Sequence, residues 1–244
     1  MRLLLAAAAL TLAAHCARAA GPAPRDLARF VYPIVVHEGP AGRGAFHRGA
    51  GFFLRTGEFV TVLHLFQNLR PPVTAAIRVD DGGAVFECPI DSVRSYSRSL
   101  DFVIVDVRLG SAKVRVPPIA RSAAPGERIF GFLVETPGPV GPRAGKLAKV
   151  GILTTEGVVL AVSPERIEAK GREFLAEGSS GAPVFNAAGQ ALGIAQSIAN
   201  GSDPQSRWIY VSIPLTRALA VPRLPAPLAF PDFLIRMGQA PPQH

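Results

Sequence analysis

The sequence predicts an all-β protein. Three observations carry this: short runs rich in β-branched and aromatic residues recur along the chain, Gly, Pro or charged clusters separate them, and no helical pattern longer than about two turns intervenes. Without crossover helices the strands must connect through turns, so the sheets are expected to be antiparallel. In order, the first half offers RFVYPIVVH (29–37), GAGFFLR (49–55), EFVTVL (58–63), VTAAIRV (73–79), AVFECPI (84–90) and DFVIVDV (101–107). The second half repeats the texture with RIFGFLV (128–134), KLAKVGILTT (146–155), VVLAVS (158–163), RIEAK (166–170), APVFN (182–186), ALGIAQSIA (191–199) and RWIYVSI (207–213). About six strands in each half suit either two barrels or one large sandwich. The stretch RLGSAKVRVPPIARSAAPGE (108–127) is the natural connector, which divides the body near residue 115 into 28–115 and 116–218. A Pro-rich tail, 219–244, has room for a short helix at 231–238 that either docks on the body or trails into solvent.

A chain of 244 residues, 48% of them hydrophobic, is long enough to bury a substantial core, which excludes a largely disordered protein. Part of that hydrophobicity lies in the leader. Arg2 precedes an apolar run and Ala17-Arg18-Ala19 offers a small-x-small cleavage site, so residues 1–19 read as a secretory signal peptide. Cys16 suggests a lipid anchor, but the bulky His15 beside it does not fit that motif. Cleavage would leave Cys88 as the one cysteine, with no internal disulfide available to an exported protein, expected in the periplasm or outside a bacterial cell. No membrane anchor is expected after cleavage. The net charge of +8 comes from basic residues scattered mostly singly, which reads as a solvated surface and gives no nucleic-acid partner.

The segment AEGSSGAPVFN (176–186) sets two serines between glycines just before an apolar strand, and raises the question of acyl transfer. That chemistry needs a base to take the serine proton and donors to hold the oxyanion. Of five histidines, His15 falls in the leader and His244 is the last residue, which leaves His37, His47 and His64. His64 closes an apolar strand, where its ring can be held rigidly toward a cleft. A histidine base works best with a carboxylate that fixes its tautomer, and Asp101, where a polar loop becomes an apolar strand, is the leading candidate. Asp106, an odd number of residues further on, is expected on the opposite face and toward solvent.

The segments GAGFFLRTGEFVTVLH (49–64), SLDFVIVDV (99–107) and EGSSGAPVFNAAGQALGIA (177–195) together resemble the chymotrypsin-like (trypsin-type) serine peptidases, especially exported bacterial members related to the Deg/HtrA proteases. Those carry G-x-G-F, a turn and V-T-x-x-H; D-hydrophobic-A-hydrophobic; and G-[DN]-S-G-G-P followed by a strand and G-I, in the order His, Asp, Ser found here. The resemblance covers about residues 28–218. It implies two six-stranded antiparallel β-barrels with the active site in the cleft between them and no cofactor or metal. It also implies Ser180 as nucleophile, His64 as general base and then acid, Asp101 as the orienting carboxylate, and the backbone N–H groups of Gly178 and Ser180 as an oxyanion hole. A protein or peptide substrate follows. Two other scaffolds fail. The α/β-hydrolase elbow G-x-S-x-G lacks its last glycine at Ala182 and a usable histidine after Ser180, and no HExxH or Cys/His cluster supports a zinc hydrolase.

The pattern has departures. Leu63 and Val103 stand where the family usually has Ala, and Ala182 replaces the second glycine after the nucleophile, which a negative φ would tolerate. Gln196 stands where Ser or Thr commonly supports the aspartate. Ser179 stands where digestive members carry the aspartate captured by a new N-terminus, so zymogen-style activation is not expected. By the same carry-over Phe174 lies at the base of the primary pocket, with Gln196, Ser197 and Ile198 along the peptide-binding strand, and the pocket favours small or medium apolar side chains. The chain has no room for a trailing PDZ module. A catalytically silent protein of the same fold, binding peptides or a partner through the cleft, is the alternative reading.

Overall fold

The computed structural model describes residues 21–39, 46–69, 72–82, 84–135, 151–171, 178–199 and 209–238. The first half forms β1 (Tyr32–Glu38), β2 (Phe46–Arg55), β3 (Glu58–Val62), β4 (Val73–Asp80), β5 (Val85–Ser97) and β6 (Phe102–Val107). These pair antiparallel in the order β5-β4-β1-β2-β3-β6, and β6 pairs back onto β5 to close a six-stranded barrel. The second half forms β7 (Arg128–Glu135), β8 (Gly151–Val162), β9 (Ile167–Gly171), β10 (Pro183–Asn186), β11 (Ala191–Ala199) and β12 (Ile209–Pro214), a second closed barrel in the order β10-β11-β12-β9-β8-β7. The expected double barrel is therefore the observed fold. Closure leaves no free sheet edge to manage and turns the period-2 pattern inward. Ile34, Phe52 and Val105 fill the first barrel's share of the core, and Ile129, Val184 and Ile194 the second's.

Two elements differ from the sequence reading. Residues 146–150 of the run at 146–155 lie outside the described residues; from Gly151 the rest of it is continuous with the run at 158–163, because Gly157 stays in the ladder between Ile129 and Gly171 instead of breaking it. Strand β5 continues seven residues past Ile90, to Ser97, because its polar outward residues find partners on β6. Asp106 is one of these partners, outward and half-buried but not simply solvated: it accepts hydrogen bonds from Ser92 Oγ and, at 2.8 Å, from Arg94 Nε. That pairing pushes the Arg94 guanidinium further up. Cys88 is buried in the first barrel, and burial alone raises its thiol, which stays protonated and unreactive.

Each end of the described chain braces the other half. The short helix α1 (Pro24–Leu27) and the turn after it pack on the second barrel, where Phe30 meets the Phe185 ring at 5.9 Å and Leu27 crowds Gly189. After β12, helix α2 (Leu215–Leu219) leads into a strap that returns to the first barrel: Leu224 N–H donates to the Arg94 carbonyl at 2.8 Å, and β13 (Leu228–Ala229) pairs with β5. Helix α3 (Phe230–Gly238) follows and docks. The strap is pinned by Glu58, a carboxylate only 3% exposed at the β2–β3 turn, which binds Arg55 at 2.6 Å and Arg223 of the strap at 2.8 Å. Removing both arginines (Arg55→Met with Arg223→Met) strands a buried charge and should lower the unfolding free energy by about 3 kcal/mol, more than Glu58→Gln does, as read by urea denaturation.

Candidate active site

Strand β3 stops at Val62, two residues before His64, which lies instead in a 3₁₀ turn, Leu63–Phe66. The cause is Asp101. Its carbonyl accepts the Leu63 N–H at 3.1 Å and its Oδ1 accepts the His64 N–H at 2.8 Å, so side chain and backbone of one residue replace the next rungs of the ladder. Asp101 achieves this with φ of 54°, the left-handed region that Asp tolerates better than most residues. Its remaining oxygen, Oδ2, lies 2.7 Å from His64 Nδ1. A carboxylate accepts only, so Nδ1 carries the proton in this contact and Nε2 is left as an acceptor, the tautomer a base needs. The carboxylate is 17% exposed while the imidazole is 38% exposed, so the ring reaches solvent from an anchored base.

Gln196 also faces this pair, with Nε2 3.4 Å from Asp101 Oδ2. The register of β11 against β12 shifts between Ala195 and Ser197, which makes Gln196 the extra residue of a β-bulge. Bulges re-aim a side chain without ending a strand, and here the side chain is aimed at the carboxylate. Gln196 therefore reaches the aspartate, the support expected where the family has Ser or Thr. The Ser197 backbone belongs to β11. Phe174 and the side chain of Ser197 lie outside the described residues.

Ser180 comes from the turn just before β10 and is pressed onto the first barrel. Its carbonyl accepts the Ala50 N–H at 2.8 Å. The next residue, Gly181, has φ of 89°, and a Cβ there would collide with the Ala50 carbonyl and Thr61 Oγ1. On the other side of the contact a Cβ on Gly49 would come within 2.8 Å of the Ser180 carbonyl oxygen and 2.5 Å of Leu65, the residue after His64. Thr61 completes the junction, donating from Oγ1 to the Ala50 carbonyl at 2.7 Å from a fully buried position. Gly49, Ala50 and Thr61 thus set where the serine turn meets the His64 turn. The sequence marked them only as motif letters. Their role was findable from the pairing of a glycine at 49 with one at 181, both needed for one close approach.

Gly178 has φ of 111°, and a Cβ there would meet the Val134 carbonyl at the end of β7. The Gly178 and Ser180 N–H groups make no backbone hydrogen bond among the described residues. Ser179 is buried. Ala182 is fully buried and is not among the residues with positive φ, which explains how it stands in for glycine. Leu63 and Val103, larger than the usual alanines, are absorbed into the core with no exposure.

A protein-family comparison matches residues 49–194, more than half of the chain, to the trypsin-like peptidase domain. The chain belongs to the trypsin-like peptidase domain family. Among solved structures, it is similar to Deg5 (16% sequence identity, TM-score 0.60, covering 80% of this chain and 90% of that chain). It is likewise similar to the Rv3671c protease from M. tuberculosis in its active form (17% identity, TM-score 0.58, covering 81% of each chain). At those identities the likeness is one of fold. A comparison with curated proteins by sequence gives no match. In this trypsin-like peptidase domain the barrel junction leaves no room for a side-chain atom at Gly181. Gly181→Ala, strained in φ and clashing with Ala50 and Thr61, should cost about 2 kcal/mol or more, and Thr61→Val, which loses one buried hydrogen bond, about 1–2 kcal/mol, both measured by thermal or urea unfolding.

Proposed function

We propose that this chain is an exported serine endopeptidase that hydrolyses peptide bonds of protein or peptide substrates through an acyl-enzyme. The observation that carries the reading is the 2.7 Å contact between His64 Nδ1 and Asp101 Oδ2 on a turn whose neighbour, Leu65, crowds Gly49 on the same side as the Ser180 carbonyl. Ser180 Oγ attacks the scissile carbonyl carbon while His64 Nε2 takes the hydroxyl proton. Asp101 stabilises the imidazolium so formed, and the Gly178 and Ser180 N–H groups hold the oxyanion, a group of interactions that strengthens only as charge develops. Collapse breaks the C–N bond, and His64 returns its proton to the leaving amine. A water, deprotonated by the same nitrogen, then attacks the acyl carbon and releases Ser180. Gln196 holds the second face of the carboxylate. With no carboxylate at Ser179, removal of the leader is the maturation step, and the protein works in the periplasm or outside the cell. The apolar residues Phe174 and Leu175 favour small or medium apolar side chains in the primary pocket.

A fluorophosphonate should form a covalent adduct on Ser180 that is lost in Ser180→Ala. Asp101→Asn should lower kcat by about 10⁴-fold, because the imidazole then adopts the wrong tautomer. No adduct on the wild-type protein, or an adduct that survives Ser180→Ala, overturns the peptidase reading. For export, protein recovered from a bacterial periplasm should begin near residue 20, and an intact Met1 terminus contradicts that part.

A further inference from the structure

We propose that the C-terminal helix α3 holds the His64–Asp101 pair in its geometry, with Phe233 as the positioning residue; the inference rests on the peptidase reading, since only a reacting pair gains from being held. Both members of the pair sit on turns, outside the barrel ladders, joined directly by the Leu63 and His64 N–H bonds to Asp101, so what packs behind each turn also bears on how those bonds are held. Helix α3 touches both. On the histidine side, Phe66 belongs to the same 3₁₀ turn as His64 and is buried, edge to face against Phe230 at 5.6 Å and Phe233 at 5.9 Å. On the aspartate side, Phe233 meets the ring of Tyr96 at 5.6 Å, near the end of β5. Arg98, in the turn that delivers Asp101, donates to the Arg236 carbonyl at 3.0 Å. A cation at that place satisfies a carbonyl of the last helical turn and suits the negative end of the helix.

The sequence of the helix is built for this contact. Phe230, Phe233 and Met237 recur at helical spacing and are buried, while Ile235 is 64% exposed on the other side. Phe233 itself is fully buried between Phe66 and Tyr96 and so contacts the supports of both turns. It touches no reacting atom. Its effect on rate must pass through the distance between the imidazole and the carboxylate, and a displacement of about an ångström in such a pair is enough to lower a rate by as much as 10²-fold.

The test compares Phe233→Ala, Phe233→Leu, Arg98→Met and, as control, Ile235→Ala in the mature protein, at a temperature where circular dichroism shows each to be folded. The primary readout is the strongly deshielded proton resonance of His64 Nδ1, which reports its hydrogen bond to Asp101 without requiring turnover. Phe233→Ala is expected to broaden or abolish it, Phe233→Leu to restore it in part, and Ile235→Ala to leave it unchanged. The fluorophosphonate labelling rate should fall about tenfold or more in Phe233→Ala, with the pH midpoint of labelling displaced. A helix that only adds stability lowers the melting temperature and moves neither readout. Retention of the resonance in folded Phe233→Ala overturns the proposal. Should that variant not fold, an unchanged resonance and labelling rate in Arg98→Met overturns it instead. Failure of the wild type to label while the resonance follows the predicted pattern would sink the peptidase reading and leave the positioning role standing.

Discussion

The backbone contact between Ala50 and Ser180 is the constraint on which the candidate site depends. Each barrel closes on its own hydrogen bonds, so nothing inside either one determines where Ser180 stands relative to His64. That relation is set where the Ala50 N–H meets the Ser180 carbonyl at 2.8 Å, and it holds only because both sides of the contact have been stripped of side chains at Gly49 and Gly181. The buried Thr61 hydroxyl then satisfies the Ala50 carbonyl, which Gly181 covers from water. Two of the three sequence motifs meet at this point, and their glycines are explained by approach distance as much as by backbone freedom.

The second constraint is local to Asp101. One residue, in a left-handed conformation, accepts hydrogen bonds from Leu63 N, His64 N, the His64 ring and Gln196. The carboxylate is thus held before any substrate arrives, and preorganised charge of this kind needs no rearrangement when an imidazolium forms beside it. The cost is a strained φ of the order of 1 kcal/mol, offset by the bonds that the strained residue makes.

Much of this was legible in the sequence because the chemistry is written in short segments. Alternating apolar runs located the strands, and the order His64, Asp101, Ser180 located the candidate triad. What was not legible depends on partners far away in the chain. Gly157 looked like a break until strands on both sides held it in place. Asp106 looked solvated because Arg94 and Ser92 are brought to it only by the β5–β6 pairing. Gln196 was legible as a support for the aspartate only through its motif position, because the bulge that aims its side chain leaves no mark in the alternation. The C-terminal segment read as a tail of uncertain course, yet Glu58, Phe66 and Tyr96 of the first barrel supply its binding surface. Periodicity reports which face of a strand is buried; it does not report what covers it.

In the proposed peptidase the barrel junction delivers Ser180 to a preset His64–Asp101 pair, with the Gly178 and Ser180 N–H groups turned toward the reacting oxygen. The crystal structure of the phosphonylated protein tests this arrangement most directly. Phosphorus is expected bonded to Ser180 Oγ, with the phosphoryl oxygen about 2.7–3.1 Å from both N–H groups and the Ala50–Ser180 contact intact. An adduct on another residue, or a phosphoryl oxygen turned to solvent with the two N–H groups pointing away, would contradict it.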